Sequence, residues 1–246
     1  MTILEIILFA LVAALAAVTQ AITGFGFSLL ALGAFGWWMD LREASVLLAP
    51  VGLAMNVMLF LRLRGHFSWA GIVPLCLAVL AGVPVGALLL WRINLPVLEL
   101  ALAGVMLLSA AQGLRAARTG TPTFWHPVIA GIPCGLAGGL LTGAFGMGGP
   151  PVVSFLLNRP LNRFQFIASI QALFALASGV RVTQFVLMGR LDRGDLPVIV
   201  PAVAAAAAGV FVGVHLLHRM SEQLGRRIVL WFVVVCGLRY LWAALT

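Results

Sequence analysis

Eight apolar segments, roughly 3–38, 44–61, 68–91, 95–113, 127–158, 164–188, 195–217 and 228–244, take up most of the chain and leave only short polar interruptions. None alternates with period two, as a barrel strand facing lipid and lumen by turns would. About 20 apolar residues make one helical crossing of a bilayer. Lipid offers no hydrogen bonds, so a crossing chain must satisfy its own backbone, which a helix does within itself. Water is excluded as the solvent by composition: 63% of the 246 residues are hydrophobic and 9% charged, against about one-quarter charged in soluble domains. The fold class is therefore an all-α polytopic membrane protein.

The formal charge of +8 comes from fifteen basic residues, all of them arginine. They cluster in the interruptions, as at Arg62–Arg64, Arg115–Arg118 and Arg226–Arg227, which is how orientation in a membrane distributes charge. They do not form the basic face that binds nucleic acid, so no nucleic-acid partner is expected. Cys76, Cys134 and Cys236 lie singly in apolar runs, without pairing or metal-ligand spacing, and read as small hydrophobes. Ala14-Leu15-Ala16 looks like a signal-peptide cleavage site, but no basic residue precedes the run and Glu5 is acidic. The first segment is read as a retained helix.

The longest polar stretch runs from Arg115 to Pro127 and divides the chain into a first repeat (1–118), a linker (119–126) and a second repeat (127–246). Each half opens on an overlong apolar segment broken by glycines, and Gly82-Val83-Pro84-Val85-Gly86 matches Gly209-Val210-Phe211-Val212-Gly213 later in each. Weak internal repeats of this kind mark secondary transporters. A run of about 35 residues would make a helix of about 50 Å, too long for a core of about 30 Å. The chain is therefore expected to reverse at both glycine motifs, giving about ten helices. Reversal places nine arginines on one side and five on the other, Arg181 aside, and puts both termini outside the cytoplasm. Each half then holds an odd number of helices, so the repeats are inverted.

The broken segments carry the chemistry. The first motif is Thr23-Gly24-Phe25-Gly26-Phe27-Ser28, and the second is Phe145-Gly146-Met147-Gly148-Gly149-Pro150-Pro151. Glycine permits sharp bends and close backbone approach, and Pro150 and Pro151 suit a helix's first turn. Each motif is expected to end in a short helix, near 27–38 and 149–158, whose exposed N–H groups and dipole make an anion site within the membrane. The alternative is that these glycines only let helices pack closely. Arg181 lies about seven residues from the end of its run, with Gln171, Ser178, Thr183 and Gln184 nearby. A charged residue inside a membrane segment defaults to function, and a guanidinium fork matches a sulfonate or carboxylate. Arg181 has two other uses: snorkelling to the interface or donating to backbone carbonyls. Thr23, Ser28 and Thr142 flank the motifs as oxyanion donors, or as glue between helices, and Asn56 lies deep in the second segment. His66, His126, His215 and His218 sit at segment ends.

The two glycine motifs, read as Gly24-Phe25-Gly26-Phe27-Ser28-Leu29-Leu30 and Phe145 through Val153, resemble the paired signatures of the TauE/SafE family of sulfite and organosulfonate exporters. The resemblance covers the whole chain. It implies a multi-pass permease of the bacterial plasma (inner) membrane that moves sulfite, sulfoacetate or another sulfonate, with Gly24 and Gly26 corresponding to Gly146 and Gly148. The first motif departs from the family pattern, which often has a third glycine and a proline where this chain has Phe27. The departure leaves Phe25 and Phe27 free to line a more apolar pocket.

No carboxylate occupies the middle of a span, so the chain shows no cation site or acidic proton relay. HExxH and P-loop patterns are absent too, and no cofactor, metal or enzymatic activity is expected. The reading is secondary transport of a small anion by alternating access, with an anion channel, or a permease importing a carboxylate or aromatic sulfonate, as alternatives. An intramembrane enzyme and a scaffold for partner subunits are the rival classes. Expected partners are the bilayer, the small anion and, as an option the sequence does not address, a second copy of the chain.

Overall fold

The computed structural model describes residues 2–67, 72–116, 127–217 and 234–244. The linker expected at 119–126 lies outside them, as do Arg118, Arg219, Arg226 and Arg227 of the arginine tally, and His126 and His218. The described residues form helices α1 (Ile3–Thr23), α2 (Phe27–Phe35), α3 (Leu41–Leu63), α4 (Val73–Arg92) and α5 (Leu95–Ala116). After the linker come α6 (Pro127–Phe145), α7 (Gly149–Leu156), α8 (Arg163–Leu187), α9 (Leu196–Leu217) and α10 (Val234–Ala244). Five stretches, including α1, α4 and those containing α3, α8 and α9, are long and apolar enough to cross a membrane. Large apolar side chains also point outward: Leu187 is 81% exposed and Ile3 79%. In water such a surface would drive aggregation, whereas lipid covers it at no cost. The chain is a multi-pass helical membrane protein.

Both overlong segments reverse. Gly24 (φ 85°) and Gly26 (φ 108°) adopt left-handed backbone conformations that side-chain-bearing residues rarely reach, and α1 stops there. α2 then folds back along α1, bringing Phe35 into a stack with Phe9, centroids 4.4 Å apart and planes 5° from parallel. In the second half Gly146 (φ 70°) ends α6, and α7 begins with Pro150 and Pro151 in its first turn. It returns along α6 so that a Cβ placed on Gly131 would lie 3.4 Å from the Phe155 ring. Gly148 differs from its counterpart Gly26, since its φ of −65° is ordinary helix. The short helices end at Phe35 and Leu156, slightly before the expected 38 and 158, each followed by turns.

Small residues set how close the long helices come. α4 packs on α6 through Gly82 and Gly86, which face Gly139 and the Leu140 backbone, while Gly143 faces the Val83 carbonyl. α9 packs on α1 in the same way: Gly209 and Gly213 meet the Ala14 and Val18 carbonyls. The two glycine-flanked segments noted in the sequence thus do equivalent work in each half, bringing backbones together where a larger residue would part them. The halves interleave, because each close pair takes one helix from either side of the linker. α3 and α8 cross between these pairs. They start from equivalent caps, the Asp40 carboxylate accepting from Arg42 and Glu43 N–H and the Asn162 side chain accepting from Gln165 N–H.

This packing makes a testable distinction between glycines. Gly86→Ala would push its Cβ into the Leu140 carbonyl and is expected to cost about 1–3 kcal/mol of stability, read as a lower melting temperature in detergent. Gly104→Ala, with nothing within 4 Å of the new Cβ, is expected to be neutral or stabilising. Equal effects from both would show that close approach is not what Gly86 provides.

Candidate functional site

A helix that ends inside a bundle leaves carbonyls at its C-terminus and N–H groups at the start of the next helix without partners. At the first break these gaps are closed by two carboxamides. The Gln20 Oε1 accepts from the Phe27 N–H at 3.0 Å, and Gln171 Nε2 donates to the Gly24 carbonyl at 2.9 Å. Gln20 Nε2 donates in turn to Gln171 Oε1 at 3.1 Å and to Asn56 Oδ1 at 2.7 Å, and Asn56 Nδ2 donates to Ser178 Oγ at 3.2 Å. All four side chains are buried. Asn56 and Ser178 stand 122 positions apart, the offset that also separates Gly24 from Gly146 and the Asp40 cap from Asn162. Two positions at that same offset therefore touch at the crossing of α3 and α8.

The second break is held by a cation. Arg181 is 3% exposed. Its Nε donates to the Gly143 carbonyl at 3.0 Å, and its Nη2 to the carbonyls of Ser45 (3.2 Å) and Ala144 (3.3 Å) and to Ser45 Oγ. Ser45 Oγ donates to the Ala144 carbonyl at 2.7 Å. The guanidinium thus sits at the C-terminus of α6, where the dipole is negative. Carbonyls only partly offset a buried charge, and among the described residues no carboxylate pairs with Arg181. Nη1 takes no part in these bonds. It points to Gly146, where an added Cβ would lie 2.6 Å from Nη1 and 2.7 Å from Ser28 Oγ. The hydrogen of Gly146 leaves the space in which these two donors converge.

Between the breaks lies a narrow cavity lined by Gly26, Phe27, Ser28, Leu29, Thr142, Gly146, Met147 and Gly149, with Gln20, Asn56, Ser178 and Arg181. Leu48, Ala49, Gly52, Met55 and Phe174 complete its wall. It is a small cavity, with a volume of about 30 Å³. Arg181 is the one charged group in the lining. Among the backbone donors, α2's first helical bond runs from Leu30 N to the Gly26 carbonyl, so the Ser28 and Leu29 N–H groups precede it unpaired. Among the described residues Ser28 Oγ likewise forms no hydrogen bond.

The structure brings together nine of the fourteen residues singled out in the sequence: Gly26, Phe27, Ser28, Asn56, Thr142, Gly146, Met147, Gly149 and Arg181 line the cavity. Thr23, Gly24, Phe25, Gly148 and Pro150 do not. Thr23 Oγ1 turns back to the Thr19 and Phe25 carbonyls, and the Phe25 ring covers Gly149. Of the two phenylalanines only Phe27 reaches the lining. Several motif N–H groups are already used, since Gly24, Phe27, Gly146 and Met147 donate within the breaks and Pro150 and Pro151 have none. The Thr142 hydroxyl donates to the Gly138 carbonyl at 2.7 Å and so offers an anion no proton. Sequence reasoning gave no role to Gln20, Ser45, Gln171 or Ser178. Their signal was spacing: Ser45, Ala49, Gly52 and Asn56 lie on one face of α3, and Gln171, Phe174, Ser178 and Arg181 on one face of α8.

A family model described as sulfite exporter TauE/SafE matches residues 9–240, a span that includes both breaks. A protein of Cupriavidus necator described as a probable sulfite/organosulfonate exporter TauE is 27% identical over 230 residues, covering 89% of this chain and 86% of its own length. No solved structure matches the chain.

The carboxamide clasp is open to direct test. Gln20→Leu would leave the Phe27 N–H, Asn56 Oδ1 and Gln171 Oε1 without a partner, each costing about 1–3 kcal/mol, and is expected to lower the yield and melting temperature of folded protein sharply. Thr19→Val, which removes a hydroxyl bonded only within its own helix, is expected to change little. A stable Gln20→Leu protein would refute the clasp.

Proposed function

Because the chain belongs to the sulfite exporter TauE/SafE family, we propose that it carries a small sulfur-containing oxyanion, sulfite or an organosulfonate, outward across a bacterial plasma membrane by alternating access. One observation carries the choice of an anion: Arg181 is buried without a carboxylate, and its free Nη1 converges with Ser28 Oγ on the space beside Gly146. An oxyanion there receives a charge-assisted bond from Arg181 and a hydroxyl bond from Ser28. The unpaired N–H groups at the start of α2 lie alongside, where the helix dipole also favours negative charge. Outward direction and the sulfur-containing class rest on the family and on the description of the Cupriavidus necator relative.

In this reading the halves 1–118 and 127–246 are inverted repeats related through the Asn56–Ser178 contact. The recurrence of break, cap and close-packed helix at matching positions supports it. Alternating access would be a rocking of the α4/α6 and α1/α9 pairs against the central α3 and α8. The tightness of the cavity favours a carrier over an open channel, because an anion larger than water enters only when the walls part. Met55 and Phe174 are the wall side chains able to give way.

Ligand identity is tested by thermal unfolding of the detergent-solubilised protein at fixed ionic strength with sulfite, sulfoacetate, taurine, an aromatic sulfonate and matched carboxylates. A ligand that binds only the folded state raises the melting temperature, and the rise is expected for sulfite or a sulfonate alone. Function is tested by flux in proteoliposomes. Ser28→Ala removes a hydroxyl that bonds nothing in the protein, so stability should be retained while anion affinity falls about ten-fold. Arg181→Lys keeps the charge but loses the fork, and should lower flux much more. Unchanged affinity in Ser28→Ala, or a larger thermal rise with carboxylates, would overturn the proposed site.

A further inference from the structure

Trp91, at the C-terminal end of α4, receives two guanidinium groups. Arg190, just beyond α8, lies over its ring with Cζ 3.9 Å from the centroid, and Arg42, in the first turn of α3, approaches to 5.8 Å. Among the described residues no other aromatic ring takes two arginines. Phe211, Phe155 and Phe185 each meet one, and Arg239 is shared between Trp37 and Tyr240. The two charges are no further apart than those two distances combined, about one Debye length in 0.1 M salt. They therefore repel, yet among the described residues neither forms an ion pair. Asp40 and Asp192, two residues from Arg42 and Arg190, are turned to backbone caps, Asp40 to the Arg42 and Glu43 N–H groups and Asp192 to that of Gly194, and the exposed Glu43 pairs with neither arginine among the described residues.

The unused donors at this corner are numerous. Arg42 directs Nε to the Leu90 carbonyl at 3.0 Å and Nη2 to that of Ile93 at 2.7 Å, closing the end of α4 and leaving Nη1 uncommitted. The exposed Arg190 guanidinium makes no hydrogen bond. Beneath it the Trp91 Nε1–H is buried and has no acceptor. A pair of like charges without a counter-ion, together with an orphaned donor, is satisfied by one kind of ligand, an oxyanion.

We infer that Arg42, Trp91 and Arg190 form an outer oxyanion site, separate from the central cavity, that takes a free sulfonate-like anion or the phosphate of an anionic lipid headgroup. It stands apart from the inner donors on both helices. Arg42 is one turn of α3 before Ser45, the residue that bonds Arg181, and Arg190 follows the end of α8 at Leu187, which is about 9 Å along the helix from Arg181. The inference rests on this geometry and not on the transport reading.

The test uses the full chain labelled with 5-fluorotryptophan in phosphatidylcholine nanodiscs, with the Trp91 fluorine resonance assigned by its loss in Trp91→Phe. Titration with methanesulfonate at constant ionic strength is expected to move that resonance saturably. Arg190→Gln, which removes the contact with the Trp91 ring but no hydrogen bond within the protein, should weaken the apparent affinity about ten-fold, the worth of one charge-assisted hydrogen bond. Arg190→Lys should fall between the two. Ser28→Ala should leave the Trp91 titration unchanged, which separates this site from the inner one whatever happens to flux. Nanodiscs containing phosphatidylglycerol distinguish the sources: a resonance already shifted without sulfonate identifies the lipid headgroup as the occupant. A Trp91 resonance unmoved by both probes, or one that moves identically in Arg190→Gln, would overturn the site.

Discussion

Inside a bilayer a backbone group that loses its helical partner has no water to turn to, and this chain interrupts two helices within its own bundle. The arrangement of α3 and α8 follows from that constraint. Gln171 and Gln20 join the carbonyl of Gly24 to the N–H of Phe27 across the first gap. Arg181 and Ser45 collect the carbonyls left at the end of α6 across the second. Both gaps are therefore served by α8, with Gln171 at one break, Arg181 at the other and Ser178 between them.

The two solutions differ in charge, and the difference gives the cavity its character. Neutral carboxamides span the first break, and every polar atom of Gln20 is bonded, while the Ser28 and Leu29 N–H groups stay unpaired. At the second break the groups to be satisfied are carbonyls at the negative end of a helix, and a cation suits them. A guanidinium has more donors than those carbonyls use. The surplus donor, Nη1, faces the one position where glycine leaves room. The structural bonds of Arg181 and the anion contact proposed for it fall at two ends of the same side chain, so the two uses are compatible.

Packing divides into two regimes. Glycines and alanines bring α4 to α6 and α1 to α9 at backbone contact, which leaves these pairs little freedom to shear. α3 and α8 meet through longer side chains and a thin chain of amide and hydroxyl bonds, Gln20 to Asn56 to Ser178. Hydrogen bonds of this kind between membrane helices are individually worth about 0.6 kcal/mol on average. Any motion of one close-packed pair against the other is cheapest there, beside the cavity.

Much of this was legible from residue order. Apolar run length fixed the membrane class, and the mismatch between a run of about 35 residues and the bilayer core required a reversal at Gly24 and Gly146. Both follow from local chemistry, namely solvent, helix rise and the backbone freedom of glycine. The pairing of Gly82 and Gly86 with α6, and of Gly209 and Gly213 with α1, was visible only as a repeated pattern, because a small residue does not name what it packs against. Gln20, Ser45, Gln171 and Ser178 read as ordinary polar residues in apolar helices, and Thr142 read as a donor although its proton is committed one turn back. Such roles depend on which groups meet across α1, α3, α6 and α8, residues as much as 151 positions apart. The sequence by itself determined the solvent, the helices and the places where they break. The tertiary structure decided which polar groups are consumed in holding those breaks and which are left over, because a hydrogen bond is settled only when both partners have a position.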